Sequence, residues 1–285
     1  MPVTHRTPDT GGQNPRSSSR SLHAWLRTNS YLSYIEVVTR SSTLSRLAPL
    51  AEDQWGVVTR RQAERVGLSP ATLQRLGSTG VLDRVAHGVY RVAGAPPADH
   101  LELRAAWLQL APEVPGWNRM QEQGVVSHRS AAALYGLGHL PADRHDFTLP
   151  ERRQSRRADV RLHERPIQHS DWAVVGGLPV TRPSRIAADL LNDREDPEAV
   201  AYLVADAIRP GHDRPGAIAD ALAPYAARLG LRRGDGLALL RWLLDLVGDP
   251  DTSRWMEEAD AHAAVSSGGK DRGSLSKDSA EARFS

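Results

Sequence analysis

Residues 57–92 read VVTRRQAERVGLSPATLQRLGSTGVLDRVAHGVYRV, and this stretch decides the fold. Thr59 and Gln62 have the spacing of a capping box, in which a hydroxyl and a side-chain amide satisfy donors that the first turn of a helix leaves orphaned. A short helix is therefore expected to start there, with Ala63 and Val66 inward and Gly67 closing it. Ser69 then reads as an N-cap and Pro70 as the first helical residue, where a missing N–H is harmless. In this second helix Leu73 and Leu76 lie three apart and must face inward. The opposite side carries Ala71, Gln74, Arg75 and Ser78, with Thr72 at its edge.

Two helices joined by a tight turn containing glycine have the form of a helix-turn-helix, whose second helix enters the major groove. Leu82–Val85 and Val89–Val92 read as strands around an Ala86-His87-Gly88 loop, which makes a wing. Arg60, Arg61, Ser69, Arg84, His87 and Arg91 then fall within reach of phosphates, while Tyr90 and Val92 share a face that packs on the helices. Ahead of this pair, Leu44, Leu47, Ala48, Ala51 and Trp55 keep helical spacing, but Pro49 interrupts them. A first helix is therefore expected from Pro49 to Gly56.

At 285 residues the chain has room for two domains, and Gly94-Ala95-Pro96-Pro97 marks the break. The expected layout is a basic, mostly unstructured arm over 1–42, a winged helix-turn-helix over 43–94, a second domain over 98–248 and a polar tail over 249–285. The second domain reads as helix 101–110, loop 112–124 and a short helix capped by Ser127. Strands follow at 146–149, 160–163, 172–175 and 178–180, which suggest a small antiparallel sheet, and then helices near 183, 197, 215 and 236. The fold class is α+β.

The absence of cysteine excludes disulfides, thiolate metal sites and thiol nucleophiles, and suits a reducing cytoplasm. No apolar run reaches the roughly 18 residues of a membrane span, and the N-terminus has no signal-like apolar core. A net charge of +2 and a pI near 9.1 permit nucleic-acid binding without demanding it. Arginine supplies nearly all the positive charge, Lys270 and Lys277 being the only lysines, and its planar fork suits guanine and phosphate. A GC-rich coding sequence would produce the same bias. The run Arg152, Arg153, Arg156 and Arg157 reads as a solvated loop or, alternatively, a surface for an acidic partner.

No catalytic constellation emerges, no cofactor is expected, and no metal site is read. His163-Glu164, the His139–His145 segment and Asp143/Asp146 lack the spacing of a metalloprotease or a metal triad, and no glycine-rich phosphate loop follows a strand.

Three stretches resemble the AbiEi family, the antitoxins of bacterial type IV toxin–antitoxin systems. These are the wing segment Arg84–Arg91, the segment Val126–Ala131, and Leu178–Pro183 leading to Ala188–Leu191, within a likeness spanning roughly residues 50–210. The resemblance implies an N-terminal domain that binds operator DNA and represses its own operon. It also implies a C-terminal domain that counteracts a nucleotidyltransferase-like toxin, with Thr181 and Asp189 in its motif. Family members carry more positive charge near the end of the recognition helix than Gly77-Ser78-Thr79-Gly80 offers. An orphan regulator, or a protein-binding module without a toxin partner, is the alternative reading.

Overall fold

The computed structural model describes residues 44–265. The basic arm expected over 1–42 and the end of the expected tail lie outside the described residues.

The first helix, α1, runs over residues 44–52, so it begins well before Pro49. Leu47 and Ala51, four apart on one face, are both buried in the core, and that burial outweighs the penalty of a proline inside the helix. The chain then forms β1 (Val57–Thr59), α2 (Arg60–Arg65), α3 (Pro70–Ser78), β2 (Leu82–Ala86) and β3 (Val89–Val92). Both arms of the capping box at Thr59 and Gln62 are present, and Ser69 Oγ accepts from Thr72 N at 3.1 Å. The hairpin loop is the pair His87-Gly88 rather than three residues, because β2 extends to Ala86 through a bulge.

Strand β1 was not expected from the sequence. It adds to β3 in an antiparallel sheet of order β1-β3-β2. All three of its residues are buried because the sheet lies between two cores. Val58, Leu82, Tyr90 and Val92 pack with the leucines of α1 and α3. Val57, Val85, Ala86 and Val89 face the opposite way, onto α4 (Leu101–Leu110), the first helix after the Gly94–Pro97 break. A helix of the second half thus closes the sheet of the first.

A buried amide network adds to this contact. Gln54 Oε1 accepts from Gly116 N at 2.7 Å, Gln62 Nε2 donates to Val114 O at 3.2 Å, and the Thr59 hydroxyl donates to Pro112 O. Trp55 Nε1 donates to Gly176 O at 3.0 Å, with the Arg104 guanidinium stacked 4.3 Å above the Trp55 ring.

The second half holds β4 (Val125–Val126), α5 (His128–Tyr135), β5 (His145–Leu149), β6 (Val160–Glu164), β7 (Trp172–Val175) and β8 (Leu178–Thr181). The sheet is not the antiparallel one expected. It has five strands in the order β6-β5-β4-β8-β7, with β5/β6 and β4/β8 parallel. The two-residue strand β4 sits at its centre and was invisible as a strand because it is too short to show alternation. Then come α6 (Pro183–Asn192), α7 (Pro197–Ile208), α8 (Pro215–Leu222) and α9 (Gly236–Leu246). A last helix, α10, covers residues 252–265, in part of what reads as a polar tail. Trp255, Met256 and Ala259 fix it to the core. These apolar residues are only one side of an otherwise charged helix, so mean composition hides them.

Candidate nucleic-acid interface

Helix α3 is held by Leu73 and Leu76, which are 1% and 0% exposed. With that side fixed, 100° per residue turns the other side out: Ser69, Ala71, Gln74 and Ser78 are exposed, and Thr72 and Arg75 half-exposed. Among the described residues, none covers Gln74. The carbonyl of Arg75 accepts from the hydroxyls of Ser78 and Thr79, both at 3.0 Å, which tightens the last turn.

Beside α3 the β2–β3 hairpin carries Arg84 and His87, both exposed and joined by an Arg84 Nη2 to His87 Nδ1 contact of 3.2 Å. A groove of about 500 Å³ lies between them, lined by Arg60, Leu73, Gln74, Gly77, Arg84 and Tyr90. Arg60 also borders a second groove of about 670 Å³, formed with Arg61, His87 and the loop 153–157. The arginine loop of the second half thus lies next to the hairpin tip and the start of α2.

The cations expected on phosphates are not equally available. Arg84 and Arg61 are exposed; Arg61 has only a loose ion pair with Glu64 at 3.6 Å. Arg60 is exposed but bonded to Glu64 at 2.7 Å. Arg91 is elsewhere: it pairs with Val57 in the sheet, and its Nη2 donates to the carbonyls of Ala95 and Pro96. Its Nε is buried without a partner. A strand arginine at this position reads as solvent-facing in sequence, but the linker folds back over it. Gly56, at φ +76, has no Cβ to block that approach by Ala95. In the arginine run, Arg153 donates to Leu110 O at 2.9 Å and Arg157 is held by Asp159 and Gln109, while Arg152 and Arg156 are exposed.

The motif residues of the second half are interior. Thr181 is fully buried and its hydroxyl donates to Val126 O at 3.3 Å, joining β8 to β4. Asp189 is buried and accepts from Arg185 Nε at 3.0 Å, with Arg165 Nε at 3.7 Å. Burial pushes its carboxyl above the usual carboxylate range, and the two arginines pull it only part of the way back. Thr181 and Asp189 therefore tie strands and helix together.

Sequence reasoning missed one cluster. His128 at the start of α5, His163 on β6 and Asp193 at the end of α6 come together, although three separate segments supply them. Burial first, then His163 and three nearby arginines, bring the His128 imidazole down to about 2, so the ring is neutral. No local spacing could have revealed this meeting.

Residues 45–93, which run from α1 through β3 and one residue beyond, match the family AbiEi_4, described as "Transcriptional regulator, AbiEi antitoxin". The match contains both α3 and the hairpin, and stops before α4. No curated protein matches the chain.

Proposed function

We propose that the chain is a DNA-binding transcriptional repressor and the antitoxin of a type IV toxin–antitoxin pair, repressing its own operon and counteracting a nucleotidyltransferase-like toxin. In this reading the segment from α1 to β3 works as a winged helix-turn-helix. Helix α3 enters the major groove, Gln74 and Arg75 meet base edges, and Arg61, Arg84 and His87 meet backbone phosphates. One observation carries the reading: α3 buries its leucine pair and leaves Ala71, Gln74 and Ser78 exposed, beside a hairpin whose Arg84 lines the same groove as Gln74. The family match over residues 45–93 agrees with it. The toxin partner rests on the resemblance of the second half alone.

Retardation of DNA from the chain's own upstream region, against random DNA at two salt concentrations, tests the repressor. Specific binding is expected, and Gln74→Ala should lower it by about 1–3 kcal/mol on the operator alone. Equal loss on random DNA would remove Gln74 from base readout. No retardation at either salt would leave a protein-binding module. Co-expression with the gene product of the neighbouring reading frame tests the antitoxin arm, and failure to rescue growth would leave a lone regulator.

A further inference from the structure

His128 and His163 stack with 3.6 Å between ring centroids and 12° between planes. Each ring has one nitrogen tied back: His128 Nδ1 lies 3.0 Å from Ser127 Oγ, and His163 Nε2 lies 2.8 Å from Asp146 Oδ1. The other two nitrogens face one carboxylate. His128 Nε2 is 3.8 Å and His163 Nδ1 4.0 Å from Asp193 Oδ2, and the three ligand atoms lie within 4.8 Å of one another. The His128 side chain is 3% exposed, yet its Nε2 has no hydrogen-bond partner. A buried orphan of this kind calls for an unseen partner, such as a water or an ion. A cavity of about 360 Å³ opens beside it, lined by His128, Asp146 and Asp193 among others.

We propose that His128 Nε2, His163 Nδ1 and the Asp193 carboxylate bind one divalent transition-metal ion of the zinc class, with solvent in the fourth position. Two imidazoles and a carboxylate are the donor set such an ion takes. Ser127 and Asp146 supply the outer partners that fix tautomer and ring orientation in metal-binding histidines. Two features oppose binding and set its character. Arg161 Nη2 holds Asp193 Oδ2 at 3.1 Å and Arg165 approaches Oδ1 at 3.9 Å, so the ion must displace a guanidinium. Arg161 is 55% exposed at its side chain and can swing into solvent. The parallel rings do not aim both lone pairs at one point, so one imidazole must turn out of the stack. The bound ion would join α5, β6 and the end of α6, independently of any DNA contact.

The test uses the full chain, stripped with a chelator and titrated with Zn²⁺ by calorimetry and with Co²⁺ by visible absorption. One tight ion per chain is expected, with the intense absorption of tetrahedral cobalt. Because the chain has 11 histidines, weaker surface binding is the background to subtract. Asp193→Ala and His163→Ala should abolish the tight site, and Asp146→Asn should weaken it by about 10–100-fold. Arg161→Gln should tighten it, a gain that misfolding cannot imitate. Zinc binding of equal stoichiometry and affinity in the wild type and in Asp193→Ala would overturn the proposal. So would an octahedral cobalt spectrum, or the absence of saturable binding.

Discussion

Arg84 and Arg91 lie on neighbouring strands of one hairpin, and their replacement by alanine should have opposite consequences. Arg84 is exposed and only loosely held by the carbonyl of Ala86 at 3.4 Å and by His87. Its removal should leave stability within about 0.5 kcal/mol, as for other surface changes. On DNA it should remove one phosphate contact, lowering the slope of log affinity against log salt by about 0.9. Over a fourfold rise in salt, the wild-type advantage should therefore shrink by about 3.5-fold. Arg91 gives its guanidinium to two linker carbonyls, so Arg91→Ala breaks charge-assisted bonds that keep the 94–97 segment against the sheet. The expected cost is about 2 kcal/mol of folding stability, with the salt slope unchanged. Fluorescence anisotropy on upstream DNA between about 50 and 200 mM salt, with urea unfolding of each variant, reads both quantities. A flattened salt slope for Arg91→Ala, or an unchanged one for Arg84→Ala, would refute the assignment of these two cations.

Two further substitutions probe what holds the framework. Leu76→Ala should cost about 2–5 kcal/mol, since the side chain is fully buried beneath α3 and its removal leaves a cavity. A loss under about 1 kcal/mol in urea unfolding would mean that the leucine pair does not anchor the helix. Asp189→Ala leaves Arg185, 19% exposed at its side chain, without its inner carboxylate, though Asp171 remains 3.0 Å away. About 3 kcal/mol of destabilisation is expected, with Asp189→Asn milder because its amide oxygen still accepts. If Asp189→Ala is neutral, the desolvation that raises this carboxyl cancels the attraction of its arginines.

The separation between sequence and structure follows the range over which each signal acts. Thr59 with Gln62, Ser69 with Pro70, and Leu73 with Leu76 are relations across three residues or fewer. Caps, a proline at N1 and an inward leucine pair depend on little beyond the local backbone, so sequence alone determined α2, α3 and the outward side of α3. The hairpin and most of the helices from α4 to α9 were legible for the same reason. Tertiary structure decided the rest: that α4 closes the second face of the first sheet, that β4 runs parallel to β8 and β5 to β6, and that α1 keeps Pro49 because Leu47 and Ala51 are buried. It also decided that the linker carbonyls of Ala95 and Pro96 hold the Arg91 guanidinium, and that His128, His163 and Asp193 converge. Each of these joins residues distant in the chain, where loop-closure entropy must be overcome by burial elsewhere, and no short-range pattern records which pair will meet.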